Sequence, residues 1–282
     1  MVSPGGSLSE AECTARVMAS GTRHDIADCR ASGFAAPLVA MPADDAAHIL
    51  ARLDAVDVDL PHPWYYKSYL LFTWMDRLVR LPSILDAVER LTGPDIMVMS
   101  ADIWTKPARD RRHISFHQDA GYWNLDPLDI VTAWIALTPA TAVNGCMRFL
   151  PGTHRLGRVA HDERQGEDNM LSHGQTARID TAAWPVYDNE LEPGSMSLHH
   201  ALLVHGSGPN TTDNPRTGIC VRYLPGRIRW TGGPPVSAMP VRGRHEGNLV
   251  LEKPPSSDLS RDAVRQHTRL LAPHALRRYV TF

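Results

Sequence analysis

Two histidines and an aspartate in the middle of the chain have the residue types and the spacing of a metal centre. His117 and Asp119 lie two residues apart, and His205 follows later in the chain. Side chains two apart in a strand point to the same face, so His117 and Asp119 can bind one metal ion, and His205 can complete the set from a later strand. Two imidazoles and one carboxylate on one face of an octahedral ion leave three positions open. This ligand set is typical of non-haem Fe(II) oxygenases.

Arg216, eleven residues after His205, adds a second feature to this pattern. Its planar guanidinium matches a carboxylate, so it is a candidate for binding a carboxylate-bearing cosubstrate. A zinc hydrolase uses similar ligands, but Arg216 favours Fe(II) with such a cosubstrate. The His-x-Asp motif alone is weak, because 14 histidines and 22 aspartates among 282 residues produce about one such motif by chance. A surface histidine beside an aspartate explains it equally well, so the prediction depends on His205 and Arg216.

Helices are predicted in the N-terminal third of the chain, and short strands separated by Gly and Pro turns after it. The chain has 20 Gly and 22 Pro, which is too many for a bundle of long helices. The sequence therefore predicts a mainly β fold with flanking helices, such as the jelly-roll form of a sandwich or barrel. The predicted helices are 42–55 and 70–91, the second interrupted at Pro82, and the predicted strands are 96–106, 130–137, 147–150, 195–204 and 216–223.

The two ends of the domain and one long polar stretch define the expected organisation. Residues 1–25 are predicted to be a flexible lead-in, and residues 26–282 a single domain with an insert at about 155–191. The part of the insert from His161 to Trp184 is too charged for a core element. We predict that it is a mobile lid that orders when substrate binds. An inert surface excursion is the alternative.

Composition limits the partners that the chain is expected to have. Hydrophobic residues make up 43% and charged residues 21%, with a formal net charge of -2, so nucleic acid and membrane surfaces are disfavoured as partners. No stretch approaches the length of a membrane span, and a cytoplasmic protein is predicted. The four cysteines show no paired spacing, so the sequence suggests neither a disulfide framework nor a zinc knuckle. The expected partner is a small-molecule substrate, and the sequence carries no signal of an oligomeric state.

Four longer runs of the chain are more specific than any single motif. They are His117-Gln118-Asp119, Val131-Thr132-Ala133-Trp134-Ile135-Ala136-Leu137, the run from Asn144 through Gly145-Cys146-Met147 to Pro151-Gly152-Thr153-His154, and the run from Leu198 to Ser207 that contains His205. Together they resemble the phytanoyl-CoA dioxygenase (PhyH-like) family, and the resemblance covers roughly residues 30–250. It implies a double-stranded β-helix, the cupin-type jelly roll, and an oxygenase that depends on Fe(II), O2 and 2-oxoglutarate as cosubstrate.

The resemblance also implies roles for individual residues. His117, Asp119 and His205 would be the iron ligands, and Arg216 would bind the distal carboxylate of 2-oxoglutarate. Trp134 and Lys106 match family positions near the cosubstrate, although plain packing for the tryptophan and a solvated strand end for the lysine are the ordinary alternatives. Many 2-oxoglutarate enzymes carry Arg-x-Ser where this chain has Arg216-Thr217-Gly218. The hydroxyl partner of that carboxylate is therefore expected from elsewhere in the chain.

The expected reaction is oxidation of an unactivated C–H bond of a small or medium metabolite, with release of succinate and CO2. Asp119 is present, whereas halogenating relatives replace this carboxylate with a small residue, so hydroxylation is preferred to halogenation. The near-neutral net charge disfavours a bulky CoA ester. Two alternatives stay open. One is a non-catalytic jelly-roll protein that binds a metal or ligand, and the other is a metal-dependent cupin enzyme that does not use 2-oxoglutarate.

Overall fold

The computed structural model of the protein describes residues 24–163, 166, 168–171 and 174–272. The predicted lead-in, 1–25, lies outside the described residues except for its last two. Of these, His24 is buried and pairs with Ala36 as an isolated β-bridge. His24, although it falls within the predicted lead-in, is therefore packed against the domain.

Helices cluster before the first long strand, as predicted. The helix predicted at 42–55 begins after Pro42, and Asp44 and Asp45 occupy its first turn, where carboxylates interact favourably with the helix dipole. The stretch predicted at 70–91 forms two helices, and Pro82 is the first residue of the second, where its missing N–H costs no hydrogen bond. The helices are α1 (Cys29–Ser32), α2 (Ala43–Asp54), α3 (Thr73–Val79), α4 (Pro82–Thr92) and α5 (Arg261–Leu271).

Fifteen strands make up the β part of the described chain. The strands are β1 (Phe34–Val39), β2 (Ile96–Lys106), β3 (Ile114–His117), β4 (Leu125–Asp126), β5 (Val131–Ala136), β6 (Met147–Phe149), β7 (His161–Glu163), β8 (Gln175–Ala177), β9 (Tyr187–Asn189), β10 (Ser195–His200), β11 (His205–Ser207), β12 (Arg216–Pro225), β13 (Arg229–Trp230), β14 (Ser237–Arg242) and β15 (Val250–Leu251). A seven-stranded sheet has the order β1-β10-β5-β12-β2-β14-β15, and a four-stranded sheet has the order β3-β11-β6-β9. The pairs β4-β13 and β7-β8 stand apart from these two sheets.

The seven-stranded sheet buries both of its faces. Its outer face packs on the helices through alternate strand residues such as Ile135 and Val221, which share one apolar cluster with Leu78 and Ile84. Its inner face packs on the four-stranded sheet in a second cluster, to which Trp134 and Phe149 contribute. The alternation of strand side chains explains how one sheet can serve two layers. The fold is the predicted mainly β jelly roll with flanking helices.

One predicted strand, 195–204, is wrong in its extent. The chain leaves the seven-stranded sheet at His200, turns over residues 201–204, and enters the four-stranded sheet at His205. The turn is closed by a hydrogen bond from the Leu203 amide to the His200 carbonyl, 2.8 Å long. Residues 201–204 are buried and apolar, so their composition resembles a strand although they cross between sheets.

The predicted insert, 155–191, contains more regular structure than its charge suggests. It holds the β7-β8 hairpin and ends with β9, the edge strand of the four-stranded sheet. Met170 and Ala177 within it are buried. Its polar side chains therefore cover an apolar underside.

No helix in the described part of the chain is long and apolar enough to cross a membrane.

Candidate metal centre

The two predicted histidine ligands lie on neighbouring strands of the four-stranded sheet. His117 ends β3, His205 begins β11, and the two residues are direct cross-strand partners with ring centroids 4.3 Å apart. Each ring directs Nδ1 at a backbone carbonyl two residues earlier, Ser115 at 2.9 Å and Leu203 at 3.0 Å. These contacts place the proton on Nδ1 and leave Nε2 of each ring as the nitrogen that can bind a metal.

Asp119 reaches the same site by a different route from the one predicted. Strand β3 ends at His117, and Asp119 begins a 3-10 turn over Asp119–Tyr122, so the strand alternation used in the prediction does not apply to it. The turn nevertheless brings Asp119 Oδ1 to 3.9 Å from His117 Nε2. One ligand atom from each of His117, Asp119 and His205 lies within 4.8 Å of the other two. Two neutral imidazoles and a carboxylate in this arrangement fit the Fe(II) of a non-haem oxygenase.

The electrostatics of the three groups keep them ready for a cation. Burial, together with His205, lowers the pKa of His117 to about 3, and burial with His199 lowers that of His205 to about 4. Burial alone would raise the pKa of Asp119, but the nearby guanidinium of Arg222 holds it well below its usual value. At neutral pH the site therefore offers two uncharged nitrogens and one carboxylate, with no proton for the metal to displace.

Three side chains from the seven-stranded sheet surround the carboxylate of Asp119. The hydroxyl of Thr132 on β5 donates to Asp119 Oδ2 at 2.8 Å. Arg222 on β12 lies 3.4 Å from Oδ1 and also pairs with Asp102 on β2. His199 Nε2 is 3.6 Å from Oδ2, which is beyond hydrogen-bond distance. The carboxylate is thus held from the sheet opposite the two histidines.

A cavity of about 350 Å³ opens in front of these residues. His117, Asp119 and His205 line it, together with Arg216 and Trp134. Arg216 is buried, and its guanidinium lies 5.2 Å from the centre of the Trp134 ring. Its Nε has no hydrogen-bond partner and no carboxylate pairs with it among the described residues, while burial lowers its pKa to about 10. Within the described part of the chain, a buried cation without an anion therefore faces the same cavity as the candidate metal ligands.

Lys106 is buried beside Arg216 instead of being solvated at a strand end. The two residues are cross-strand partners on β2 and β12. Lys106 Nζ donates to Ser207 Oγ at 2.7 Å and to the carbonyl of Gly208. Ser207 lines the cavity, whereas Lys106 lies behind it. The structure therefore places Trp134 on the cavity wall, and Lys106 behind the cavity-lining Ser207.

Gly218 stands where many 2-oxoglutarate enzymes carry serine, and the packing explains why. A Cβ at Gly218 would overlap the ring of Trp134, so this site has no room for the Arg-x-Ser hydroxyl. Ser207, two residues after His205, brings a hydroxyl to the cavity. Ser207, Thr132 and Arg222 were not among the site residues predicted from the sequence. Each lies an even number of residues along a strand from a predicted site residue: Ser207 from His205, Thr132 from Trp134, and Arg222 from Arg216. Residues at even spacing share a strand face, and this spacing could have identified them.

The fold and this donor set define a class of protein, the jelly-roll proteins with the two-histidine, one-carboxylate ligand set of non-haem Fe(II) oxygenases. A family model described as "Phytanoyl-CoA dioxygenase (PhyH)" matches residues 40–218, well over half of the chain. The chain belongs to this family, as the sequence runs predicted.

Individual relatives agree with this assignment. The peroxisomal phytanoyl-CoA dioxygenase of Homo sapiens is 35% identical over 159 residues, covering 52% of this chain and 45% of the relative. A probable alpha-ketoglutarate-dependent hypophosphite dioxygenase of Stutzerimonas stutzeri is 30% identical over 167 residues, 56% of this chain and 55% of the relative. The chain thus spans about half the length of these curated relatives. The solved structure of the apo non-haem monooxygenase ThoJ superposes with a TM-score of 0.77 at 33% identity, covering 90% of this chain and 97% of that one.

Proposed function

We propose that the protein is a 2-oxoglutarate-dependent dioxygenase that hydroxylates an unactivated C–H bond of a small or medium metabolite. The observation that carries the proposal is the environment of Arg216. Arg216 is a buried cation without a carboxylate partner among the described residues, and it faces the cavity lined by His117, Asp119 and His205. Leaving a charge buried and unpaired is costly, so the position is explained by an anion that arrives with the cosubstrate.

The proposal gives a role to the three candidate metal ligands and to Arg216 and Trp134. His117, Asp119 and His205 hold the iron, which when bound supplies the oxidising chemistry with 2-oxoglutarate and O2. Arg216 binds the distal carboxylate of 2-oxoglutarate as a bidentate pair, and Trp134 supports the guanidinium plane.

Two further groups border the proposed carboxylate site. Ser207 lines this end of the cavity, but its hydroxyl already donates to the carbonyl of Gly145 at 2.7 Å. Lys106, which donates to Ser207 Oγ, adds positive charge from behind. Both groups lie next to the cavity end that Arg216 occupies, because Lys106 is the cross-strand partner of Arg216.

The cavity also bears on the substrate. Its volume of about 350 Å³ is at the lower end of the range for small-molecule sites. Among the described lining residues, the arginines are Arg216 and Arg222, and Arg222 is already paired with Asp102 and Asp119. Neither is left for the phosphates of a CoA ester inside the cavity. This supports a small or medium metabolite.

Consumption of 2-oxoglutarate tests the proposal against its alternatives. Purified protein with Fe(II), ascorbate and O2 is expected to convert 2-oxoglutarate to succinate, faster when a true substrate is supplied from a metabolite panel. Mass spectrometry is expected to show a product heavier by one oxygen atom. Metal binding without 2-oxoglutarate binding would favour a cupin enzyme of another kind or a non-catalytic binding protein. A cytoplasmic location stays a prediction.

Hydrogen exchange tests the predicted lid at His161–Trp184. Glu163 and Gln175 in this segment line the cavity, and His161 Nε2 accepts a hydrogen bond from the amide of Gln118, so the segment already touches the metal motif. We expect protection to increase here when substrate joins the Fe(II) and 2-oxoglutarate complex under nitrogen. Protection that stays the same on substrate addition would leave the segment as an inert surface excursion.

The pH dependence of cosubstrate binding follows from Lys106. Burial, reinforced by Arg216, lowers the pKa of Lys106 to about 7. A carboxylate bound nearby favours the charged lysine and raises its pKa, so binding takes up a proton. The affinity for 2-oxoglutarate is therefore expected to be highest below pH 7 and to weaken above it, by up to about tenfold per pH unit. Calorimetry between pH 6.5 and 8.5 measures this slope, and Lys106→Met is expected to flatten it.

A further inference from the structure

The three candidate ligands are not supported in the same way. His117 and His205 lie on paired strands, and each ring is fixed by a backbone carbonyl. Asp119 lies in a 3-10 turn after the strand, and its carboxylate has no backbone donor among the described residues. Its orientation depends instead on side chains from the opposite sheet. Thr132 makes the shortest of these contacts, at 2.8 Å.

We infer that Thr132 is a positioning residue that holds Asp119 as a one-oxygen ligand of the metal. The inference rests on the proposed metal centre. Thr132 donates to Oδ2, whereas Oδ1 is the oxygen that lies 3.9 Å from His117 Nε2. With Oδ2 engaged by the hydroxyl, Oδ1 alone is presented to the ion.

The surroundings of Thr132 show that this hydrogen bond is built into the sheet. Thr132 is fully buried in the middle of β5, between His199 on β10 and Arg222 on β12. A branched side chain on a central strand has few rotamers, so its hydroxyl is fixed in direction. A buried hydroxyl needs a partner, and the carboxylate of Asp119 is the partner that the structure gives it.

The neighbours of Thr132 do not replace it. His199 lies too far from Oδ2 for a hydrogen bond, at 3.6 Å. Arg222 contacts the other oxygen at 3.4 Å and is held mainly by its pair with Asp102. Loss of the Thr132 hydroxyl therefore frees Oδ2 to turn toward the metal.

A free Oδ2 has a consequence for the coordination of the ion. A carboxylate that binds through both oxygens occupies one of the three positions that a two-histidine, one-carboxylate site leaves open. The proposed function would need these positions for the cosubstrates. Thr132 thus protects an open position as well as strengthening the ligand.

Three variants separate positioning from packing. Thr132→Val keeps the shape and removes the donor, Thr132→Ser keeps the donor and removes a methyl group, and Asp119→Ala removes the ligand. Co(II) serves as the probe, because its visible absorption reports coordination number without turnover. Thr132→Val is expected to show a Co(II) spectrum of higher coordination number than wild type, together with a change in Co(II) affinity within the 10- to 100-fold range seen when partners of metal ligands are lost. Thr132→Ser is expected to match wild type in both.

The outcomes distinguish this inference from the function on which it rests. Wild-type protein that binds Co(II) no better than Asp119→Ala would overturn the proposed metal centre. A functioning centre with Thr132→Val equal to wild type in affinity and spectrum would overturn the role of Thr132 alone. Thr132→Ala, which removes the same donor and needs less space, takes the place of the valine variant if that variant does not fold. Melting of the metal-free proteins shows that each variant is folded before the titration.

Discussion

Replacement of Asp119 by alanine is expected to abolish turnover and to weaken metal binding by more than about 100-fold. The reason is that Asp119 supplies the one anion of the candidate centre, and loss of a ligand costs more than the 10- to 100-fold typical of its partners. The fold is expected to persist, because Arg222 keeps its pair with Asp102 when Asp119 is removed. Succinate release measures turnover, and anaerobic titration with Fe(II) measures metal binding.

Asp262→Ala is the matched control for this change. Asp262 lies on α5 with 83% of its side chain exposed, so its loss removes the same chemical group without touching the cavity. The control is expected to retain wild-type turnover and metal affinity. Full turnover by Asp119→Ala would remove Asp119 from the ligand set, and with it the proposed two-histidine, one-carboxylate centre.

The jelly roll was predictable from short strands and turns, and the residues that meet at the cavity were predictable because the runs that contain them resemble the PhyH family. Strand β2 was predicted at its observed bounds, and Arg216 was placed at the start of a strand, where it is found. Asp119 was assigned to the site on strand alternation, which is wrong for this residue because the strand ends at His117. The 3-10 turn brings the carboxylate back toward the histidine, so the set came together although part of the reasoning failed.

Side-chain partners from distant strands could not be predicted in the same way. Thr132, Arg222 and Asp102 meet around Asp119 because β5, β12 and β2 are neighbours in a defined register. A shift of register by one residue would turn each of these side chains to the other face of the sheet. That register is fixed by packing across the whole sheet, which no local stretch of sequence contains. The crossing at residues 201–204 was missed for a related reason, since buried turns and buried strands share an apolar composition.

Arg216→Ala is expected to weaken 2-oxoglutarate binding by about one to two orders of magnitude. A bidentate, charge-assisted pair contributes roughly 1.5–3 kcal/mol, and each 1.4 kcal/mol corresponds to about tenfold in affinity. Arg216→Lys is expected to recover only part of the loss, because an ammonium cannot match the planar fork of the guanidinium. Calorimetric titration of the Fe(II)-loaded protein with 2-oxoglutarate under nitrogen measures both variants.

The melting temperature of the protein without 2-oxoglutarate is a second, independent test of the role of Arg216. Removal of an arginine that serves only the fold would destabilise the protein. Arg216 is buried without a carboxylate partner in the described chain, so its removal relieves an uncompensated charge. The melting temperature of metal-free Arg216→Ala is therefore expected to equal or exceed that of wild type, while the rise in melting temperature caused by 2-oxoglutarate is lost. Arg227→Ala, at an exposed pair with Asp129, is expected to keep that rise in full. An Arg216→Ala protein that melts earlier yet binds 2-oxoglutarate with wild-type affinity would show that the arginine serves the fold and that the cosubstrate carboxylate binds elsewhere.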